Sequence, residues 1–280
     1  MQKRLPEYLK RPIIDTDRTR NVRKILKVNC LNTVCENARC PNKNECYTKN
    51  TATFLIMGNV CTRNCRYCNI SCERPVPLDL EEPMHIAKAV KDLGLKYSVI
   101  TSVTRDDLPD GGAEHFANCI YEIRKLSPDV KIEILTPDFK GNKDALDIII
   151  KAHPNVFNHN IETVRNIFKT ARPQGNYDCS LEVLKYVKES SDIITKSGLM
   201  VGLGETFEDI EQTLVDLKNV GCDILTIGQY IQPSKNHLEV SKYYTLEEFS
   251  ELEKLAEKVG ILHYQIGPLV RSSYRAAELV

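Results

Sequence analysis

The sequence predicts an α/β fold in which parallel strands alternate with helices in an open, partial βα barrel of the TIM type. Six short runs rich in β-branched residues alternate along the chain with six amphipathic helical patterns. Strict alternation of this kind favours right-handed parallel crossovers. Six units of roughly 30 residues cover about 180 residues, whereas a closed barrel of eight units needs about 250. We therefore expect about six units, flanked by extensions.

The elements follow from the period of the apolar residues and from the turn residues between them. The predicted strands cover residues 53–60, 97–103, 131–135, 156–161, 193–201 and 223–230. The predicted helices cover residues 82–93, 113–126, 142–152, 164–170, 180–189 and 207–220. Because no repeat or low-complexity linker interrupts this series, we expect an N-terminal extension over 1–52, a barrel over 53–256 and a C-terminal extension over 257–280.

The composition is that of an ordinary globular protein. Hydrophobic residues make up 42% of the 280 residues and charged residues 27%. The 38 basic residues balance the 38 acidic ones, so no overall field attracts nucleic acid or an anionic membrane. The first residues lack the apolar core of a signal peptide, and no stretch approaches the ~20 apolar residues that span a bilayer. We expect a cytoplasmic protein without nucleic-acid or membrane partners.

Three cysteines, in the run Cys-Thr-Arg-Asn-Cys-Arg-Tyr-Cys, directly follow the first predicted strand. Cys61, Cys65 and Cys68 can hold three irons of a cubane cluster and leave the fourth iron open. Zinc sites usually pair two Cys-x2-Cys units or add nearby histidines, and this spacing matches neither. With Tyr67 directly before the last cysteine, the run resembles the signature of the radical S-adenosylmethionine (SAM) superfamily. Its members chelate SAM at the open iron.

A second set of three cysteines lies upstream in a loop-rich segment. Cys35, Cys40 and Cys46 are separated by four and then five residues. The chain has 11 cysteines and no secretory features, which favours metal ligation over a disulfide framework. Scattered surface thiols are the alternative, but two triads so close together favour a second iron-sulfur cluster.

The two triads, together with the run Arg271-Ser272-Ser273-Tyr274, resemble the lipoyl synthase family. Further similar segments cover residues 101–112, 157–163, 171–173, 196–205 and 228–230. Asn59 stands where the family usually has Asp, and Cys72 is a thiol not expected there. The resemblance implies the radical SAM fold, two [4Fe-4S] clusters, and a serine as fourth ligand of the upstream, auxiliary cluster. We choose Ser273 as that ligand, with Ser272 as the open alternative.

The resemblance also implies the reaction and its partners. Two sulfur atoms would be inserted at C6 and C8 of an octanoyl chain bound to a lysine of a carrier protein. The carrier would be the E2 subunit of a 2-oxoacid dehydrogenase or the glycine cleavage H protein, and ferredoxin or flavodoxin would supply low-potential electrons. A biotin-synthase-like enzyme, a methylthiotransferase and a non-enzymatic electron carrier are the alternatives. An electron carrier would favour four thiolates per cluster in a small domain.

Polar residues at the ends of predicted strands are the candidates for contacts with SAM or substrate, since barrel ligands bind at the carboxyl ends of the strands. Arg105 and Asp106 either bind a ligand or belong to a solvated loop before a helix. Alternation places Asn158 and Asn160 on one face of a strand, with His159 on the other. The full set of candidates is Tyr67, Arg105, Asp106, Asn158, Asn160, Glu162 and Arg172.

Overall fold

The computed structural model describes residues 4–12 and 14–280. The first three residues, on which the expectation of no signal peptide partly rests, lie outside these ranges. The helices are α1 (Asp17–Val28), α2 (Val34–Asn37), α3 (Lys43–Thr48), α4 (Glu82–Asp92), α5 (Ala113–Leu126), α6 (Lys143–Ala152), α7 (Arg165–Ala171), α8 (Tyr177–Ser190), α9 (Phe207–Asn219) and α10 (Leu246–Val259). The strands are β1 (Asn32–Thr33), β2 (Thr53–Ile56), β3 (Val60–Cys61), β4 (Ser71–Cys72), β5 (Tyr97–Ser102), β6 (Lys131–Leu135), β7 (Val156–Asn158), β8 (Ile194–Val201), β9 (Ile224–Gln229) and β10 (His263–Gly267). None of the helices in the described ranges is long and apolar enough to cross a membrane.

The chain divides into two compact units. The early unit comprises Arg11–Arg63 and Asn69–Phe157, in their described part. The late unit comprises the described residues up to Lys10 together with Asn64–Cys68 and Asn158–Val280. Cys61 therefore belongs to the early unit, whereas Cys65 and Cys68 belong to the late unit.

The early unit is built on parallel strands with helices between them. β2 pairs in parallel with β5, and β5 pairs in parallel with β6, while the short β1 lies antiparallel to β2. The strands form because β-branched residues such as Ile100 and Ile132 are fully buried in them. α4 and α5 pack together through buried residues that include Ile86 and Phe116. The predicted strands at 97–103 and 131–135 and the helix at 113–126 between them are confirmed within one residue.

The late unit has the same construction. β8 pairs in parallel with β9, and β9 pairs in parallel with β10. α9 and α10 both begin with a capping box, in which Thr206 and Thr245 each accept a hydrogen bond from the amide three residues later. α10 and β10 were not predicted. α10 buries Phe249 and Leu252 and thus continues the helix and strand alternation beyond residue 230.

The first predicted strand is interrupted before the cysteine loop. β2 ends at Ile56 rather than at residue 60, because Met57 and Gly58 adopt positive φ angles of 65° and 89° that no strand contains. The chain then forms β3, which pairs in parallel with β4 so that Cys61 lies opposite Cys72. The cysteine loop therefore begins within a small two-stranded sheet of the early unit.

The fourth predicted strand is also shorter than expected, since β7 ends at Asn158. Beyond it the amide of His159 donates to Lys196 O, and the amide of Glu162 donates to Gly198 O. Three residues on this segment therefore match two on β8, as in a β-bulge, and Glu162 has a positive φ of 71°. The alternation that was expected to run from Asn158 to Asn160 stops at this irregularity.

Candidate functional site

Cys61 is held by two backbone amides, one in its own loop and one just after β5. Its Sγ accepts hydrogen bonds from the amides of Arg63, at 3.4 Å, and Thr104, at 3.3 Å. The hydroxyl of Thr62 donates to Thr104 O at 3.0 Å and accepts from the amide of Asp106 at 3.0 Å. Hydrogen bonds to the sulfur atoms are a feature of protein-bound iron-sulfur clusters. The surroundings of Cys61 therefore fit a cluster ligand.

Arg63 lies buried between two carboxylates of the early unit. Its guanidinium donates to both oxygens of Asp106, at 2.7 and 2.9 Å, and to both oxygens of Asp138, at 2.7 Å each. The side chains of Arg63 and Asp138 are each 3% exposed. Asp106 was a candidate for SAM contact, but both its oxygens already accept from Arg63. Within the early unit, the ion pairs fix Arg63 against the segments that follow β5 and β6.

Arg105 has one free donor in the early unit. Its Nε and Nη2 atoms bind Asp107 at 2.9 and 2.8 Å, and this interaction lowers the pKa of Asp107 below its ordinary value. The Nη1 atom is buried and has no hydrogen-bond partner among the described residues, and the same holds for the hydroxyl of Ser102. Buried polar atoms normally have a partner, so these two atoms at the end of β5 fit a ligand that brings an acceptor.

Cys65 and Cys68 are held by a different loop in the late unit. The amide of Cys68 donates to Cys65 O at 3.0 Å, which closes a turn between them. His237 Nε2 lies 2.9 Å from Cys68 O, and the amide of Leu238 donates to Arg66 O at 2.9 Å. The cysteine turn is therefore attached to the 230–244 loop at two backbone positions.

A cavity of about 530 Å³ borders this turn. It is lined by Asn64, Cys65, Arg66, Pro173, Gln174, Asn236 and His237. The Gln174 side chain accepts from the amide of Asn64 at 2.7 Å and so fixes one wall. Cys65, which the sequence predicts to be a cluster ligand, thus lines a cavity to which Arg66 also contributes.

Tyr67, Asn160 and Glu162 form one hydrogen-bonded group in the late unit. Asn160 Nδ2 donates to Glu162 Oε1 at 3.2 Å, and Glu162 also accepts from the hydroxyl of Tyr67. Arg172 Nη1 donates to Asn160 O at 3.3 Å. Burial raises the pKa of Glu162 above its ordinary value, although Arg172, Asn160 and Tyr67 all favour the charged form. Four candidates named from sequence are therefore brought together here, and Asn158 is buried in the adjoining strand β7.

The upstream triad lies in the early unit on two short helices and the turn between them. Cys35 is buried in α2, Cys46 is half-buried in α3, and the amide of Cys40 donates to Cys35 O at 3.2 Å. Burial and the neighbouring thiols raise the pKa of Cys35 to about 12 and that of Cys46 to about 11. Cys40 contributes to the raised pKa of both Cys35 and Cys46, so the three side chains are near one another in the early unit. Cluster assembly must release their protons.

This arrangement differs from that of a single-ion site. Among the described residues, no group of three or more His, Cys, Asp or Glu side chains has an arrangement suited to one metal ion. The thiolates of a cubane bind separate irons, so their sulfurs do not converge on one point.

The two serines of the Arg271–Tyr274 run have different surroundings. Ser272 Oγ donates to Asn160 Oδ1 at 2.8 Å. Ser273 is half-buried, and its hydroxyl forms no hydrogen bond with another described residue. The hydroxyl of Ser273 is therefore the one that a metal could take without breaking a contact.

Arg63, Asp138 and His237 were not among the residues singled out from the sequence. Asp138 follows the carboxyl end of β6, so the rule that selected Arg105 and Asp106 after β5 would have selected it as well. Arg63 has no comparable signal, because the same loop contains Arg66 and the sequence does not distinguish the two. No pattern in the neighbouring sequence indicates a role for His237, since its partner Cys68 is 169 positions away in the chain.

Comparisons with known proteins agree with these observations. Residues 55–217 match the Radical SAM superfamily. The chain is 52% identical over 277 residues to a lipoyl synthase of Caldanaerobacter subterraneus subsp. tengcongensis, an alignment that covers 99% of this chain and 97% of that protein. It is also 52% identical over 274 residues to a lipoyl synthase of Rubrobacter xylanophilus, covering 98% and 85% of the two chains.

Solved structures show the same fold at low sequence identity. Methylornithine synthase (PylB) is 15% identical with a TM-score of 0.57, and the match covers 85% of this chain and 73% of that one. HydG, a maturase of the [FeFe]-hydrogenase, is 15% identical with a TM-score of 0.57, covering 90% and 56%. These likenesses confirm the predicted radical SAM fold class. The family match and the identity over nearly the whole length establish that the chain belongs to the lipoyl synthase family of the radical SAM superfamily.

Proposed function

We propose that this protein inserts two sulfur atoms, at C6 and C8, into an octanoyl chain bound to a lysine of a carrier protein. As a radical SAM enzyme it uses SAM and a [4Fe-4S] cluster. The presence of two separate cysteine triads in one chain carries the proposal, because the generation of a radical requires only one. The second triad leaves a second cluster available as the source of sulfur.

Each cluster has its own set of ligands in this proposal. Cys61, Cys65 and Cys68 hold the radical cluster, supported by the amide donors at Cys61 and by the turn that joins the other two. Cys35, Cys40, Cys46 and Ser273 hold the auxiliary cluster. When bound, the first cluster with SAM supplies a 5'-deoxyadenosyl radical that removes hydrogen from carbon, and the second supplies sulfide.

The remaining candidates position SAM and exclude water. The buried Nη1 atom of Arg105 suits a carboxylate or carbonyl oxygen, and its two bonds to Asp107 fix its direction. For Asp106 we propose that it holds Arg63, and thereby the loop of Cys61, rather than SAM itself. In the late unit, Tyr67, Glu162 and Arg172 offer a phenol, a carboxyl and a guanidinium for polar groups of SAM, with Asn158 and Asn160 beside them.

The proposed partners follow from the reaction. An octanoylated carrier, either an E2 lipoyl domain or the glycine cleavage H protein, brings the substrate, and ferredoxin or flavodoxin brings electrons in the cytoplasm. The cavity beside Cys65 supports an approach of the electron donor at that point of the late unit, since Arg66 favours an acidic partner. The division into 1–52, 53–256 and 257–280 separates, in this proposal, the auxiliary triad, the barrel and the serine motif.

The test compares single cysteine variants under anaerobic conditions with an octanoylated carrier. Cys61→Ala should abolish formation of 5'-deoxyadenosine, whereas Cys40→Ala should retain it and lose the lipoyl product. Cys30→Ala, at an exposed position, is the matched control and should retain both activities. Lipoyl product formed by the Cys40 variant would exclude the auxiliary cluster as sulfur donor. Unchanged turnover of Ser273→Ala would exclude Ser273 as a functional ligand.

A further inference from the structure

The segment that contains the serine motif lies directly on two strands of the late unit. A Cβ added at Gly228 in β9 would lie 2.1 Å from Val270 O and 3.1 Å from Arg271 Nη1. A Cβ added at Gly198 in β8 would lie 3.1 Å from Ser272 Oγ and 3.0 Å from Asn160 Oδ1. The φ angle of neither glycine is in the left-handed region, so both are needed for space. The segment is therefore packed against the sheet at a fixed distance.

Because the segment lies so close to β8, Ser272 forms a hydrogen bond with Asn160. Its Oγ donates to Asn160 Oδ1 at 2.8 Å, across 112 positions of the chain. The accepting oxygen fixes the amide plane of Asn160, and the opposite end of that plane donates to Glu162 Oε1 at 3.2 Å. Rotation of the amide by half a turn would bring a nitrogen to the hydroxyl and an oxygen to the carboxyl. The acceptor Glu162 Oε1 faces the amide nitrogen, which leaves Oδ1 of Asn160 to accept from Ser272, and the Ser272 hydroxyl holds the amide in this orientation.

Glu162 connects Asn160 to the turn of Cys65 and Cys68. It accepts from the hydroxyl of Tyr67, the residue directly before Cys68. Its backbone is fixed on both sides, because its amide donates to Gly198 O at 2.9 Å and its carbonyl accepts from the amide of Met200 at 2.8 Å. The connection from Ser272 to Tyr67 thus consists of three hydrogen bonds anchored on β8.

We infer that Ser272, Asn160 and Glu162 are positioning residues through which the Arg271–Tyr274 segment orients Tyr67 and the turn of Cys65 and Cys68. The inference rests on the proposed function in one respect, since it assigns the two neighbouring serines different tasks: Ser273 binds the auxiliary cluster and Ser272 orients the radical site. The segment that carries one proposed ligand then also stabilises the turn that carries two others.

Hydrogen exchange measured by mass spectrometry on the full-length, cluster-free protein tests this inference. Loss of one hydrogen bond costs about 1 kcal/mol, which raises the equilibrium constant for local opening roughly fivefold. In Ser272→Ala we expect the amides of Glu162 and Cys68 to exchange about fivefold faster, although neither residue contacts the changed side chain. Ser272→Thr keeps a hydroxyl and should restore slow exchange at both amides.

Controls separate an orienting role from a merely structural one. Ser250→Ala, on the exposed side of α10, should leave both amides unchanged. In Asn160→Ala the further change Ser272→Ala should have no added effect, because the connection is already broken. Acceleration confined to 270–274, or equal acceleration in 224–229, would overturn the inference. The measurement needs no turnover, so a negative result would overturn the positioning role of Ser272 without contradicting the proposed sulfur insertion. In the loaded protein, Ser272→Ala should keep the iron content of the wild type, and loss of half the iron would also overturn the assignment.

Discussion

Replacement of Arg63 by methionine removes the cation that lies between the carboxylates of Asp106 and Asp138, although Lys140 Nζ remains 3.8 Å from Asp106 Oδ1. Four charge-assisted hydrogen bonds of 2.7 to 2.9 Å are lost. At about 1.5–3 kcal/mol each they would sum to roughly 6–12 kcal/mol. However, the side chain of Asp106 is 22% exposed and can be rehydrated, so most of the cost comes from Asp138, which is 3% exposed. Removal of one partner from a buried pair costs about 3–5 kcal/mol, and this is the loss we expect.

Urea unfolding of the cluster-free protein measures this loss without a contribution from bound iron. Arg165→Met is the matched control, because its ion pair with Asp178 has side chains 50% and 69% exposed; with its longer contact to Asp216 and its position over the Tyr177 ring it should contribute at most about 2 kcal/mol. The double variant Arg63→Met with Asp138→Asn should recover part of the loss, since it removes the buried charge. A loss for Arg63→Met no larger than that of Arg165→Met would refute the reasoning.

Three further predictions concern packing, pH and thiol chemistry. Gly198→Ala should lower the free energy of unfolding by about 1–3 kcal/mol, because the new Cβ would lie 2.4 Å from a threonine oxygen of the next strand. Gly267→Ala, where the nearest atom is 3.5 Å away, should be tolerated in the same urea assay. The raised pKa of Glu162 means that the folded state holds this proton more tightly than the unfolded state. This stabilisation is present at low pH and is lost as pH rises through the folded pKa. Unfolding midpoints should therefore show Glu162→Gln gaining relative to wild type between pH 5 and pH 8, and an equal difference at both values would contradict the assignment. Burial raises the pKa of Cys222 to about 12, so iodoacetamide at pH 8 should leave Cys222 unmodified while alkylating the exposed Cys72, as peptide mass spectrometry can check.

Local patterns in the sequence determined most of the regular structure. The strands at 97–103 and 223–230 are continuous runs of β-branched and apolar residues, and the helix at 207–220 follows a threonine cap, so each was found within a residue or two. The cysteine spacing gave two sets of candidate ligands. These features depend only on neighbours in the chain, which is why periodicity and spacing detect them.

Contacts between residues that are distant in the chain could not be predicted from such local patterns. The hydrogen bond from Ser272 to Asn160 and the contact between His237 and Cys68 join positions more than one hundred residues apart, and no local signal encodes either. The bulge after β7 was missed because Glu162 takes a positive φ that its residue type disfavours. β10 was missed because its first three residues are not fully buried, which weakens the alternation that marks a strand.

The glycines at 198 and 228 have a consequence for the tolerance of this protein to random substitution. Neither has a side chain to offer to a substrate, yet a Cβ at either position would meet the serine segment or its neighbours within about 3 Å. A library of variants selected for activity would retain glycine at both positions as strictly as it retains the cysteines. An active variant with a substitution at either glycine would need a simultaneous change in 270–272, so we expect these distant positions to change together.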